Sequence, residues 1–166
     1  MDNVQITPFS KVYNRFFSKV TDDMYMELSE FDTYSLVEEL LVSAIYSFEF
    51  PRVDLTNYVL SSVTEENEIE IAEGYFNSVL TDEEINILAT YMVVGWLGQQ
   101  LASIENIRMK YSGSDFKFTS QANHMSKIQS LKEHYEKEGF HLQRLYKRRK
   151  KDDKGVMRST FSSIMG

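Results

Sequence analysis

Chemistry in this chain would have to come from histidines, carboxylates or hydroxyls, because there is no cysteine. The imidazoles are His124, His134 and His141. His134 and His141 stand about two helical turns apart, too far for both to bind one metal ion without other ligands. No His-Glu-x-x-His pair occurs. Serines are many, but none sits in a nucleophile elbow, and no set supplies nucleophile, base and orienting group together. The densest carboxylate run is Glu65, Glu66, Glu68, Glu70 and Glu73. It lacks the ligand spacing and turn glycine of a calcium loop, so it reads as a solvated face. The glycines form no phosphate cradle; Gly95 and Gly98 lie within a helical pattern, not after a strand. These readings nominate no catalytic residue, no cofactor site and no metal site. What remains is Lys147-Arg148-Arg149-Lys150-Lys151, a candidate electrostatic contact. It suits a helix end favoured by the helix dipole, the acidic part of another subunit, or nucleic-acid phosphate.

The charge layout sharpens those choices. The net charge of -7 conceals two unlike halves. Residues 1–106 carry 19 acidic and 4 basic side chains, net -15, and residues 107–166 carry 6 acidic and 14 basic, net +8. A chain polarised in this way can set its acidic region against the basic region of a second copy. At 166 residues it is long enough for one domain with a hydrophobic core, and 13% aromatic content argues against disorder. The absence of cysteine fits a reducing compartment. The N-terminal residues show no basic region followed by an apolar run, which predicts no signal peptide. The apolar stretch Ile85–Leu97 is shorter than a bilayer span, which predicts no membrane role.

The elements that would position the basic cluster are helical. Thr81 and Glu84 form a capping-box pattern, and a helix over 81–110 follows, apolar nearly all round in its middle. It is predicted to be the buried central element, with Ile85, Leu88, Met92, Trp96 and Leu97 in the core. Thr7-Pro8 reads as an N-cap with proline at the first helical position, opening a helix over about 8–19. A short second piece follows from Thr21 to Leu28. Asp32 or Thr33 caps a helix over about 33–48, ended by Pro51. Residues 49–80 read as a partly extended loop over the bundle, with Gly74-Tyr75-Phe76-Asn77 as a turn bearing two aromatic anchors. Ser112-Gly113-Ser114 ends the central helix. Residues 111–118 could hold a short extended or hairpin crossing, and a long basic helix then runs from Ser120 to about Lys147. Met125, Ile128, Leu131, Tyr135, Leu142 and Leu145 make its apolar stripe, with a bend or second start at Gly139. The prediction is an all-α small bundle over 1–150 with a tail over 151–166 that is flexible or docks to a partner. Met157, Phe161, Ile164 and Met165 are the tail's candidate docking residues, for a neighbouring subunit or another protein.

Leu80-Thr81-Asp82-Glu83-Glu84-Ile85 leading into Met92…Trp96-Leu97, and Asp115-Phe116-Lys117-Phe118-Thr119-Ser120 leading into the basic helix, form a layout over about residues 5–150. This layout resembles the head–tail adaptor, or connector, proteins of tailed bacteriophages. The resemblance brings no catalytic set. It implies a homo-oligomeric ring of about a dozen copies in the virion neck, assembled in the host cytoplasm. A portal protein would sit above it and a tail-side neck or tail-completion protein below. Genomic DNA would pass through the channel without sequence-specific contact. The alternative is a nucleic-acid-associated regulatory helical protein using the basic segment 144–154.

Overall fold

Thr81 and Glu84 cap one another as their spacing predicts. The Thr81 amide donates to Glu84 Oε2 at 2.7 Å, and the Glu84 amide donates to Thr81 Oγ1 at 3.3 Å. From this box α3 runs over Asp82–Lys110. A computed structural model describes residues 6–20, 30–64, 70–110, 118–151 and 157–159. The fold is mostly helical, with small sheets at its periphery. Around α3 lie α1 (Phe9–Phe17), α2 (Glu30–Ser47) and α4 (Phe118–Arg148), and all three pack directly on it.

That encirclement explains why α3 has apolar residues on several faces. Ile85, Ile87, Leu88, Ala89, Met92, Val93 and Leu97 are all buried. Each of the larger ones contributes roughly 1.5–3 kcal/mol by leaving water. Trp96 is half-buried and packs against the edge of this core. The segment Asp82–Ile104 is long and apolar enough, by length and composition alone, to cross a membrane, so the apolar region is longer than Ile85–Leu97. In the fold its buried residues face the other three helices.

α3 and α4 run antiparallel. Glu84 meets Tyr146, Tyr91 meets Gln143 and Gly139, and Gly98 faces Lys132. A Cβ on Gly139 would lie 2.9 Å from the Tyr91 ring, so the glycine is there for close approach. α4 is continuous through it, so no second helix starts there. Ile128, Tyr135 and Leu142 of the expected α4 stripe pack against the core, and the same side of the helix also buries residues outside that stripe. Tyr146, Gln143 and Gly139 are buried, while Leu131 is 45% exposed.

The stretch before α3 is more ordered than a loop. β5 (Tyr75–Phe76) is the middle strand of a three-stranded antiparallel sheet, between β1 (Thr7–Pro8) and β2 (Tyr58–Val59). Tyr75-Phe76 is thus a strand and not a turn. Phe76 is buried and its ring meets Phe9 edge-on at 4.9 Å. β3 (Ser62–Thr64) and β4 (Glu70–Ala72) form a separate antiparallel pair. Thr7 does not cap α1, whose N-cap is Pro8 with no side-chain bond. Instead its buried hydroxyl donates to the Ser78 carbonyl and accepts from the Leu80 amide, both at 2.9 Å. α1 receives its polar cap from afar, where Glu73 accepts from the Ser10 amide.

At the C-terminal end, β6 (Arg149–Lys151) pairs antiparallel with β7 (Met157–Ser159). The predicted tail therefore begins with a strand bonded to the helical body, and the division between 150 and 151 falls inside this hairpin. Backbone pairing supplies the reason, since two extended runs satisfy one another's amides and carbonyls. The segment 21–28, the crossing at 111–117, and Phe161, Ile164 and Met165 lie outside the described residues. Phe118 already belongs to α4, so the crossing does not extend to it.

Candidate interaction face

The basic cluster is built from the last turn of α4 and from β6. Lys147 and Arg148 end the helix, where cations complement its dipole. Arg149, Lys150 and Lys151 form β6. The five residues therefore share one end of the molecule, but they do different work. The Arg149 guanidinium forms a 3.0 Å ion pair with Glu83 in the first turn of α3. Lys147 Nζ lies 4.0 Å from the centre of the Phe50 ring and is exposed.

Beneath the cluster lies a buried polar latch. The Tyr146 hydroxyl donates to Glu84 Oε1, and both residues are 1% exposed. The Tyr146 hydroxyl oxygen in turn accepts from the Arg52 amide at 2.9 Å. The Arg52 guanidinium lies over the Tyr146 ring at 4.0 Å and donates to the carbonyls of Tyr146 and Arg149. One turn earlier, the Gln143 amide group donates to the Ser47 carbonyl at 3.0 Å and to the Tyr91 hydroxyl at 2.6 Å. Its oxygen accepts from the Glu49 amide at 2.8 Å. The latch thus ties the end of α2, the loop after it, the start of α3 and the end of α4. Glu84 closes the capping box with one oxygen and the latch with the other.

Burial, and then the neighbouring Glu84 carboxylate, push the Tyr146 hydroxyl above the usual tyrosine range. Burial also raises Tyr91 and Tyr13; around Tyr13 the Glu38 and Glu73 carboxylates add to the effect. The Tyr146 hydroxyl thus stays protonated at neutral pH and can donate to Glu84. The latch therefore holds structure.

His124, His134 and His141 are all exposed along α4. His134 approaches Glu138 at 4.0 Å. Among the described residues no group of three or more acidic or imidazole side chains could hold a metal ion. Of the predicted docking residues, Met157 is in β7. The functional-looking residues that sequence reasoning missed are Phe50, Arg52, Gln143 and Tyr146. Gln143 and Tyr146 follow Gly139 at four and seven residues, a helical phase that could have marked them as one face. Nothing local marks Phe50 or Arg52, which are brought in by the turn after α2.

No protein-family model, curated protein or solved structure matches the chain.

Proposed function

We propose that the chain is a structural head–tail adaptor of a tailed bacteriophage, forming a ring between the portal and the tail side of the neck around the genome channel. The observation that carries this reading is the latch, which fixes a cationic helix end on a rigid base while leaving Lys147 at the surface. A docking element needs that combination of fixed backbone and accessible charge. The polarised charge of -15 and +8 in the two parts of the chain suits repeated subunit contacts. The resemblance in layout supplies the portal above, the tail-side protein below and passing DNA without sequence readout. Under this reading the chain performs no catalysis and the virion neck is its location. Particle imaging of the purified chain with portal rings tests it. Ring-shaped density at one end of the portal is the expected result, and a monomer that ignores portals refutes it.

A second reading draws on Phe50 and Phe140, which are 51% and 59% exposed beside basic residues. Aromatic faces among cations can stack bases while the cations meet phosphate. This favours a nucleic-acid-associated protein using 144–154. A mobility-shift titration separates the two: tight, salt-sensitive, sequence-selective binding supports this second reading, and weak unselective binding supports the adaptor.

A further inference from the structure

Two carboxylates gather where α1, α2 and the lead into β5 approach one another. Glu38 of α2 accepts from the Ser61 amide and hydroxyl at 2.9 and 2.7 Å. The Ser61 hydroxyl in turn accepts from the Gly74 amide at 3.0 Å, which brings Glu73 alongside. Glu73 accepts from the Ser10 amide of α1. These bonds use Glu38 Oε2 and Glu73 Oε1 and leave the other oxygen of each to a further donor. Neither carboxylate has an ion-pair partner among the described residues. Tyr13, one turn after Ser10, is 3% exposed, and its hydroxyl has no hydrogen-bond partner among the described residues. Its ring meets Tyr34, one turn before Glu38, edge-on at 6.3 Å. Burial, and then the charges of Glu38 and Glu73, hold the proton on this hydroxyl. Buried hydroxyls are ordinarily bonded, so the three groups together ask for a cationic donor. Val59 and Leu60, immediately before Ser61, are exposed apolar residues beside them.

The outer face of α4 carries the complement. Lys137, Phe140 and Arg144 recur at three- and four-residue spacing and are all exposed. Lys137 and Arg144 have no ion-pair partner among the described residues. The backbone beneath is rigid, because Gly139, Gln143 and Tyr146 on another face are buried against α3 and the end of α2. Within one copy, Arg144 stands beside Gln143, which bonds to Ser47, more than two helical turns beyond Glu38. It therefore does not reach the carboxylates of its own chain.

We propose that Arg144 of one copy seats between Glu38 and Glu73 of another, with Phe140 packed on Val59 and Leu60, making a head-to-tail contact. The guanidinium fork donates to the two open carboxylate oxygens and to the Tyr13 oxygen. Lys137 meets Glu39, which is exposed next to Glu38. An aromatic ring flanked by cations thus finds an apolar pair flanked by acids. Because the two surfaces differ, each copy keeps one of each free, and repetition gives a closed ring or an open filament. A second copy fits better than a nucleic acid, which has no cation to offer Glu38, Glu73 and Tyr13. Glu133, also exposed, stands one turn before Lys137 and repels a phosphate chain running along α4. The inference names the subunit surfaces of the adaptor reading and rests on that reading only for closure into a ring.

The absence of native cysteine makes the test specific. Full-length chains bearing Ala72→Cys beside Glu73 and, separately, His141→Cys one turn before Arg144 are mixed at rising concentration and treated with a short bis-maleimide. A heterodimeric cross-link exceeding either self-cross-link is expected. In sedimentation velocity, Arg144→Glu and Glu73→Arg should each weaken association at least about tenfold, and mixing the two should restore a heterodimer. Tyr13→Phe should weaken association at least about threefold without lowering the unfolding midpoint of the dilute chain, because the hydroxyl has no partner there to lose. Absence of the hetero-cross-link up to the highest soluble concentration overturns the proposal. So does association indifferent to both charge reversals, or a Tyr13→Phe chain that associates as tightly as the parent. Salt-sensitive capture of a single-stranded oligonucleotide, lost in Arg144→Glu, with no cross-link, overturns it in favour of nucleic acid. Portal binding by chains that never cross-link removes this contact and leaves the adaptor; cross-linked chains that ignore portals do the reverse.

Discussion

Replacing Tyr146 with Phe isolates the latch. The ring remains, so its edge-on contact with Phe48 at 5.3 Å and the stacked Arg52 persist. Only the hydroxyl is lost. Glu84 Oε1 then has no Tyr146 donor in a site 1% exposed, and the Arg52 amide loses its 2.9 Å acceptor. A hydrogen bond to a buried charged group contributes roughly 1.5–3 kcal/mol, and an orphaned amide adds about 1 kcal/mol where water cannot reach it. The expected loss is about 3 kcal/mol. With a urea slope of about 2 kcal/mol/M, the unfolding midpoint should fall by about 1.5 M with the slope unchanged. The thermal midpoint should fall by roughly 6–12 °C. Adding Glu84→Gln completes a double-mutant cycle, in which the two changes should couple by at least about 1 kcal/mol. A loss under about 0.5 kcal/mol, or strict additivity with Glu84→Gln, would refute the assignment of Tyr146 as the keystone.

Gly139→Val should cost about 2 kcal/mol in urea unfolding, because its Cβ would press on the Tyr91 ring at 2.9 Å and disturb the bond to Gln143. Thr7→Val keeps the shape but removes both the donor to Ser78 and the acceptor for Leu80; a loss of roughly 1–3 kcal/mol is expected, with faster amide exchange at Leu80. Alkaline stability should follow the raised tyrosines. Tyr146 binds its proton more tightly folded than unfolded, so its contribution is complete below the ordinary value of 10.0 and declines as pH rises beyond it. Circular dichroism from pH 9 to 12 should therefore show falling stability, with a shallower slope in Tyr146→Phe.

The helices were legible where local chemistry and tertiary packing agree. The capping box at Thr81 and Glu84 is set by residues three apart, and the structure realises it. The all-round apolar character of α3 announced burial by several neighbours, and three helices supply it. Thr7-Pro8 misled because a local cap and a strand can use the same residues. The Ser78 carbonyl and Leu80 amide, more than seventy residues away, decide between them. The phase of α4 was legible in part. Ile128, Tyr135 and Leu142 pack on the core as their spacing suggests, but the most buried positions are a glycine, a glutamine and a tyrosine, chosen by close approach and polar satisfaction and not by apolar area. The candidate face was half visible. Its cations stand together in sequence, whereas Phe50 and Arg52 reach them only through the fold.

The small sheet formed by β1, β5 and β2 also sets an order of events at the ribosome. Pro8 and Tyr75 are cross-strand partners, and the Phe9 amide donates to the Gly74 carbonyl at 2.9 Å. The first strand to emerge therefore waits for its partner until more than sixty further residues have been made. At roughly 5–20 residues per second, that is several seconds of exposure for Phe9, Val12, Tyr13 and Phe16. The residues of α4 that join α2 through Gln143 come later still, 94 positions after Glu49. α1 is thus made well before its sheet partner and seated late, and for that interval its four buried side chains are open to a chaperone.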